Sequence, residues 1–346
     1  MIESISIKNY RGIENLELNN FKKYNFFVGD NSSCKTTLLE AIFSSTISNL
    51  YGIINVANTK GEAVKCENIN SFFYNADTDN NIEFFLNEKI KTIIKLKDNK
   101  FDNPSPQNIE SEKIKSGEEF RFLYNIVKEI NNQKELDIDI LVNNNFYLRE
   151  EKKLVTEEFK KYVVLDRRGI FVSPFTKYLN TTAQTVKNLI EDKQKNKLLE
   201  VLNIFEKDID DIVSDGVKIL LSKKNIKKML PISSFGNGLS SILDIAASLI
   251  NTEVSYIFID EIETGIHYLN YEKFIKVLIE IIKRKEIQIF MTTHSKEFLE
   301  IFYRELDKNS EDICLYRFQK IKDKLTKVYY PKERAINAIK NGWDIR

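Results

Sequence analysis

Hydrophobic and polar residues follow two periods along this chain, and the periods distinguish its strands from its helices. Alternation of apolar and polar residues, typical of half-buried strands, predicts an N-terminal hairpin at residues 2–7 and 13–18. Short, largely apolar runs, typical of buried strands, occur at residues 24–28, 256–259 and 287–291. Apolar residues recur at helical spacing over residues 238–250 and 269–283. Buried strands that alternate with helices predict an α/β fold.

The middle of the chain has a weaker pattern. We predict antiparallel strands at residues 82–86 and 91–96, helices at 120–130 and across 176–213, and a hairpin at 217–230. Residues 98–118 are polar and contain two prolines, so we predict a mobile loop there. The expected organisation is one lobe made of residues 1–97 and 231–346, into which a mainly helical lobe, residues 98–230, is inserted.

Residues 29–36, Gly-Asp-Asn-Ser-Ser-Cys-Lys-Thr, form a phosphate loop between a buried strand and a helix. In the pattern G-x-x-x-x-G-K-[ST], backbone N–H groups and the helix N-terminus surround the phosphates. Lys35 would reach the β- and γ-phosphates, and the Thr36 hydroxyl would bind Mg²⁺. Cys34 departs from the pattern because it replaces the second glycine, where a side chain crowds a tight turn. An ordinary polar turn would not require Lys and Thr at this spacing.

Two carboxylates, Asp260 and Glu261, follow the second of the buried apolar runs. Downstream of a phosphate loop, this pattern is typical of a Walker B strand. Asp260 would hold Mg²⁺ through water, and Glu261 would orient and deprotonate the attacking water. The next buried strand ends at His294, where a sensor of the γ-phosphate would lie. For the other histidine, His267, a structural and a functional role stay equally open.

The composition limits the classes of protein and partner. Lys and Arg total 52 and Asp and Glu total 51, so no overall basic field indicates nucleic-acid binding, although a local patch stays open. No apolar run approaches the roughly 20 residues that span a bilayer, and the chain begins with a strand-like stretch. The three cysteines lack metal-site or disulfide spacing. We therefore expect a cytoplasmic protein without membrane attachment.

Two charged clusters leave alternatives open. The acidic residues at 208–211 form either a metal cluster or a solvated helical face, and the solvated face is favoured. Lys223, Lys224, Lys227 and Lys228 either contact nucleic-acid phosphates or lie in solvent on a hairpin. The near-neutral net charge favours the solvated hairpin.

Residues 233–238, Ser-Ser-Phe-Gly-Asn-Gly, directly precede a predicted helix. Alone they predict a helix cap with turn glycines, but in this position they resemble the signature loop of ABC-type ATPases, usually LSGGQ. The chain resembles the ABC-type ATPases of the SMC/RecF/OLD group. The resemblance covers both ends and the final third of the chain, and it rests on the segments ISIKNYRGI, GDNSSCKTTLLEAI, SSFGNGL, YIFIDEIETGIHY, QIFMTTHS and NGWDIR.

The resemblance implies a P-loop ABC-type head, with a mixed central sheet, flanking helices, antiparallel N-terminal strands and an inserted lobe. It implies that three parts of the protein bind ATP. One is Arg11, and another is the signature loop of the opposing subunit, with Ser234 and Gly236. The third is the phosphate loop, with Asp30, Asn31, Ser32, Ser33, Cys34, Lys35, Thr36 and Thr37. The implied catalytic residues are Lys35, Glu261 and His294, and the implied Mg²⁺ ligands are Thr36 and Asp260. The Q-loop glutamine is not located, with Gln107, Gln133 and Gln184 as alternatives.

For function, the resemblance implies an ATP-sandwiched homodimer, or a higher even-numbered oligomer, whose nucleotide state is a conformational switch. The first hypothesis is a slow Mg²⁺-dependent ATPase that switches an effector in anti-phage defence or DNA repair. The residues after His294 are too few for a TOPRIM nuclease domain, so a TOPRIM-like nuclease is expected on a separate chain. The second hypothesis is an ATP-held scaffold or sensor that sequesters a nuclease or toxin. A transporter subunit is less favoured because LSGGQ is missing.

Overall fold

The computed structural model describes residues 1–46, 70–97, 120–143, 148–155, 168–174, 181–251, 254–306, 310–322 and 324–341. Outside these ranges lie the predicted loop at 98–118, the glutamine alternative Gln107, one of the three cysteines (Cys66) and the closing residues 342–346. The chain divides into two compact units. Unit 1 contains Met1, Asn20–Leu39 and Arg167–Arg346, and unit 2 contains Ile2–Asn19 and Glu40–Asp166.

Strands and helices are both numerous in the described residues. In chain order the strands are β1 (Ile5–Tyr10), β2 (Ile13–Leu18), β3 (Tyr24–Gly29), β4 (Ile82–Leu86), β5 (Ile90–Lys97), β6 (Phe120–Ile130), β7 (Gln133–Asn143), β8 (Leu148–Val155), β9 (Arg168–Val172), β10 (Ile209–Ser214), β11 (Ile219–Lys223), β12 (Leu230–Pro231), β13 (Val254–Ile259), β14 (Gln288–Thr292), β15 (Ile313–Ile321) and β16 (Lys324–Tyr330). The helices are α1 (Lys35–Thr46), α2 (Thr181–Glu191), α3 (Lys195–Phe205), α4 (Asn237–Ile250), α5 (Tyr271–Arg284), α6 (Lys296–Glu305) and α7 (Lys332–Lys340). Among the described helices, none is both long enough and apolar enough to cross a bilayer.

Unit 1 is built on a six-stranded sheet with the order β16-β15-β3-β14-β13-β9. Neighbouring strands are parallel except for β16, which pairs antiparallel with β15. Strand β14 separates β3 from β13, because Met291 pairs with Phe26 on one side and with Ile259 on the other. Since parallel strands end at one edge of a sheet, the segments that follow β3, β14 and β13 meet at that edge.

The two faces of this sheet pack differently. Phe26 and Val28 of β3 point to one face and belong to a hydrophobic cluster that residues of α2 to α7 also join. The opposite face carries buried aromatic rings, with Phe290 stacked between Phe258 at 5.1 Å and Phe27 at 6.2 Å. Burying side chains of this size stabilises the fold by about 1.5–3 kcal/mol each. The sheet is therefore a rigid support for the loops at its edge.

Unit 2 is built on a seven-stranded antiparallel sheet with the order β2-β1-β4-β5-β6-β7-β8. The predicted hairpin of β1 and β2 is confirmed, as is the antiparallel pair of β4 and β5. Ile5 joins the two hairpins because it pairs with Leu18 on β2 and with Leu86 on β4. All three side chains are buried, as the alternating pattern of β1 requires.

Residues 120–130 form strand β6, so the prediction of a helix there is wrong. Apolar residues occupy both odd and even positions in this segment, and its pattern therefore suits either period. Pairing with β5 on one side and β7 on the other decides the conformation, because β-branched and aromatic residues suit a paired strand. The prediction that residues 98–230 are mainly helical is also wrong for the described part, which contains β6 to β12 and two helices.

The two units divide the chain at different positions from the predicted lobes. Strand β5 pairs with β6, so residues 70–97 belong with the antiparallel sheet. Strand β9 pairs with β13, and α2 and α3 share a core with α4, so residues 168–230 belong with the sheet of the phosphate loop. These pairings join distant parts of the chain, and no local pattern in the sequence indicates them.

Candidate functional site

The phosphate loop that follows β3 has unusual backbone conformations. Gly29 has a φ of 139°, and a Cβ atom there would lie 2.0 Å from the Phe318 carbonyl oxygen. Only glycine fits this position. Ser32 and Cys34 are left-handed, with φ of 64° and 62°. The left-handed conformation at Cys34 explains why glycine is usual there, since only glycine adopts it without strain.

The side chains of the predicted loop differ in their exposure. Asp30, Asn31 and Ser32 are exposed, Ser33 is buried, and Thr37 is half-buried in the first turn of α1. Burial raises the pKa of the Cys34 thiol. A thiol with a raised pKa stays protonated and is a poor nucleophile. Cys34 therefore affects the shape of the loop rather than its reactivity.

The Lys35 ammonium is held by its own loop. Its Nζ donates to the carbonyl oxygens of Gly29 at 2.8 Å and Asp30 at 2.7 Å, and to Ser33 Oγ at 3.4 Å. Burial lowers the pKa of Lys35, and the nearby Asp260 carboxylate acts in the opposite direction. The contacts place a cationic side chain at the loop whose backbone N–H groups can bind a phosphate.

Thr36 and Asp260 meet at the edge of the sheet. Thr36 Oγ1 lies 3.0 Å and 2.9 Å from the two carboxylate oxygens of Asp260. Thr292 Oγ1, at the end of β14, donates to Asp260 Oδ1 at 2.7 Å, and the Asp260 N–H donates to the Val172 carbonyl at 2.8 Å. A hydroxyl and a carboxylate are hard oxygen ligands of the kind that Mg²⁺ prefers. The predicted Mg²⁺ ligands are therefore close enough to share one ion.

Glu261 begins a tight turn directly after β13. Its side chain is exposed, its φ is 48°, and its N–H donates to Thr292 Oγ1 at 2.7 Å. Thr264 closes the turn, because its N–H donates to the Glu261 carbonyl at 2.8 Å and its hydroxyl donates to Glu261 Oε2 at 3.0 Å. The carboxylate is therefore oriented at the end of the strand, beside the Asp260 position.

His294 lies on the neighbouring segment, after β14, and is half-buried. Its backbone N–H donates to Glu263 Oε1 at 2.7 Å. The turn at residues 261–264, called the carboxylate turn below, therefore holds the backbone of His294. The next residue, Ser295, caps α6 by accepting from the Phe298 N–H at 3.1 Å. These contacts fix the backbone at His294 and at the residue that follows it.

The signature-like loop lies at the N-terminus of α4. Ser234 and Gly236 are exposed, and Gly236 has a φ of 91°. At Gly238, a Cβ atom would lie 2.7 Å from the Gly265 carbonyl oxygen, so α4 approaches the segment after β13 closely. The Ser241 hydroxyl lies 3.1 Å from the Thr264 carbonyl oxygen. Helix α4, called the signature helix below because it follows the signature-like loop, thus contacts the carboxylate turn.

Arg11 belongs to unit 2, at the turn between β1 and β2. Its Nε lies 3.3 Å from Glu40 Oε2, and its guanidinium carbon lies 4.9 Å from the centre of the Phe72 ring. Glu40 is fully buried on α1, and the Tyr10 hydroxyl donates to the same carboxylate oxygen at 3.5 Å. Burial raises the pKa of Tyr10. Arg11 is thus an ion-pair partner of Glu40, and its contact with ATP stays a prediction.

His267 has a local structural role. Its Nδ1 accepts from the Leu269 N–H at 3.4 Å, and its ring packs on Tyr268 with centroids 4.6 Å apart. The short 3₁₀ turn that follows, Tyr268–Asn270, is capped in this way. Of the two alternatives for His267, the structure supports the structural one.

The other residues whose role the sequence leaves open belong to other strands and helices. Gln184 lies on α2 and donates to Asn188 at 2.8 Å, and Gln133 begins β7 in unit 2. The acidic stretch at 208–211 enters strand β10 and not a helix, and its Asp211 pairs with Lys195. In the described ranges, no three His, Cys, Asp or Glu side chains are grouped as a metal site.

Four polar residues around the site have no role in the sequence analysis: Ser241, Glu263, Thr264 and Thr292. Thr292 contacts Asp260 and Glu261, and Glu263 holds His294. For Glu263, Thr264 and Thr292 the only signal in the sequence is a hydroxyl or carboxyl residue near a strand end, and Ser241 is one of several serines in a predicted helix. That signal is weak because such residues are also ordinary turn residues.

A model of a known protein family matches most of this chain. The family model described as "AAA domain, putative AbiEii toxin, Type IV TA system" matches residues 24–300, which include the phosphate loop, the signature-like loop and His294. A relative from Helicobacter pylori (strain ATCC 700392 / 26695), called "ATP/GTP phosphatase", is 26% identical over 324 residues. The alignment covers 87% of this chain and 87% of the relative.

Solved SMC head structures have a similar fold. A crystal structure of an SmcHead bound to the C-winged helix domain of ScpA has a TM-score of 0.56 and 13% identity, covering 97% of this chain and 99% of that one. An Smc head domain from Pyrococcus furiosus with an extended coiled coil, bound to the C-terminal domain of ScpA, has a TM-score of 0.52 and 10% identity, covering 98% of both. At this identity the likeness concerns the fold, and it confirms the predicted ABC-type head.

Proposed function

This chain belongs to the AAA domain family whose model it matches, and we propose that it is a Mg²⁺-dependent ATPase. The observation that carries the proposal is the contact of Thr36 with Asp260, which joins the phosphate loop to the carboxylates at the end of β13. The name of the Helicobacter pylori relative, an ATP/GTP phosphatase, supports the same chemistry.

Each site residue has a defined part in this reaction. Lys35 and the loop N–H groups bind the phosphates, and Mg²⁺ held by Thr36 and Asp260 would neutralise charge on the β- and γ-phosphates. Glu261 accepts a proton from the attacking water, since its carboxylate is exposed at the strand end and oriented by Thr264. His294 contacts the γ-phosphate from the neighbouring segment.

We further propose that two copies of the chain enclose ATP between them. Ser234 and Gly236 are exposed at the N-terminus of α4, where backbone N–H groups and the helix dipole favour an anion. In the proposed dimer this loop closes on the γ-phosphate bound by the opposing copy. ATP then holds the copies together, hydrolysis releases them, and a partner that prefers one state is bound or released.

The partner is proposed to be a separately encoded effector, such as a nuclease or toxin. The family description, which names a toxin of a Type IV TA system, favours a role in defence over one in DNA repair. A scaffold that binds ATP and hydrolyses little stays the second candidate, because the strained Cys34 and the unusual signature favour slow turnover. Turnover and partner release measured together separate the two.

The dimer is tested by mixing two inactive variants. Lys35→Ala chains lack the phosphate cation, and Ser234→Arg chains lack a functional signature loop. A heterodimer contains one intact composite site, so we expect ATPase activity to return on mixing, up to about a quarter of wild type for random pairing and one active site in each heterodimer. Heterodimers demonstrated by mass spectrometry but without activity would contradict the composite site.

A further inference from the structure

Thr264 makes two hydrogen bonds that connect different parts of the site. Its hydroxyl donates to Glu261 Oε2 at 3.0 Å. Its carbonyl oxygen lies 3.1 Å from the hydroxyl of Ser241, a buried residue of α4, and the same hydroxyl lies 3.1 Å from the Asn237 carbonyl oxygen within the helix. One residue therefore contacts both the catalytic carboxylate and the helix that begins at the signature-like loop.

The backbone around Glu261 is already fixed without the Thr264 hydroxyl. The Glu261 N–H donates to Thr292 Oγ1 at 2.7 Å, and the Ile262 N–H donates to the Thr292 carbonyl at 3.1 Å. The Thr264 N–H donates to the Glu261 carbonyl at 2.8 Å. These bonds fix the backbone but not the direction of the exposed Glu261 carboxylate. The Thr264 hydroxyl restricts that direction.

Helix α4 also approaches the same turn closely at a second position. At Gly238, in the first turn of α4, a Cβ atom would lie 2.7 Å from the backbone oxygen of Gly265. Gly265 is the residue after Thr264, so the helix touches the turn at two adjacent residues. A shift of the N-terminus of α4 toward the turn must therefore move the turn, because packed backbones cannot interpenetrate.

We propose that Thr264 is a positioning residue that orients Glu261 and links it to the signature helix. The inference rests on the proposed ATPase function and deepens it. When the signature loop closes on the ATP of a second copy, α4 is held in place, and through Ser241 and Thr264 it sets the direction of Glu261. A general base must lie within hydrogen-bond reach of the water it deprotonates, so this direction controls the rate.

The test replaces Thr264 by valine, which keeps the branched shape and removes the hydroxyl. We expect kcat to fall about tenfold, since a displacement of about 1 Å costs up to ~100-fold in rate. KM and the affinity for ATP should stay within about twofold of wild type, because Thr264 does not hold the phosphates. Thr264→Ser, which restores the hydroxyl, should recover most of the rate.

Ser241→Ala tests the link to α4, and Ser248→Ala is its matched control. Ser248 is also a buried serine of α4, two turns further along the helix and beyond reach of the turn. Ser241→Ala should lower kcat, Ser248→Ala should not, and the effects of Ser241→Ala and Thr264→Val should be less than additive. Thermal unfolding of each variant separates misfolding from misplacement.

The outcomes distinguish this inference from the function on which it rests. A wild-type chain without Mg²⁺-dependent turnover would refute both. Wild-type turnover together with an unchanged kcat in Thr264→Val would refute the positioning role alone. Additive effects of Ser241→Ala and Thr264→Val would refute the link to α4, as would an equal loss in Ser248→Ala.

Discussion

Replacing Cys34 by glycine should relieve backbone strain in the phosphate loop. Cys34 has a φ of 62°, a conformation that costs a residue with a side chain about 1–2 kcal/mol and that glycine adopts freely. Glycine also loses about 0.5–1 kcal/mol more conformational entropy on folding. The strain relieved equals or exceeds this entropic cost, so the free energy of unfolding should rise by about 0–1.5 kcal/mol relative to wild type.

A matched control separates strain from entropy. Lys273 is an exposed residue of α5 with helical backbone, so Lys273→Gly has the entropic cost without strain to relieve, about 1 kcal/mol. Cys34→Gly should therefore be more stable than Lys273→Gly by about 1–2 kcal/mol. Cys34→Val should be less stable than wild type, because β-branched residues tolerate positive φ least.

Urea unfolding followed by circular dichroism measures these differences, and ATP turnover is the second readout. Relief of strain at the loop should maintain or raise turnover in Cys34→Gly, whereas Cys34→Val should lower it. Equal losses of stability in Cys34→Gly and Lys273→Gly would refute a cost of the left-handed conformation at Cys34.

Two further predictions concern contacts of the carboxylate turn. Glu263→Gln keeps an acceptor for the His294 N–H and should retain most of the turnover, whereas Glu263→Ala leaves that N–H unpaired and should lower kcat about tenfold, as expected for losing a hydrogen bond to a charged group. Equal rates in the two variants would exclude this role. Gly238→Ala introduces a Cβ atom 2.7 Å from the Gly265 backbone oxygen, so α4 must move away and steady-state hydrolysis should drop at least tenfold. Wild-type hydrolysis by a folded Gly238→Ala protein would show that the contact has no influence on the site.

The phosphate loop and the Walker B strand can be predicted from sequence because each is a contiguous stretch with locally determined chemistry. Residues 29–36 lie between β3 and α1, and Asp260 directly follows β13, as the motifs indicate. The same holds for the hairpin of β1 and β2, whose alternating residues define one buried face. Local patterns are sufficient here because the required residue types are neighbours in the chain.

The contacts that orient the site residues are not predictable in this way. Glu263 and His294 are 31 positions apart, and Ser241 and Thr264 are 23 apart. In the sequence, Glu263 is one more acidic residue after the strand, and only the left-handed turn at Glu261 determines which carboxylate faces which partner. The same limit explains strand β6, whose conformation depends on two neighbouring strands rather than on its own pattern.

We propose that this chain binds Mg²⁺-ATP through Lys35 and hydrolyses it with Glu261 as the base. The direct measurement is ATP binding and phosphate release by wild type, Lys35→Ala and Glu261→Gln. Lys285→Ala is the matched control, because the Lys285 ammonium is likewise held by backbone carbonyls, at the end of α4. We predict that Lys35→Ala loses ATP binding, that Lys285→Ala retains it, and that Glu261→Gln binds ATP but releases almost no phosphate. Normal phosphate release by Glu261→Gln would show that Glu261 is not the base.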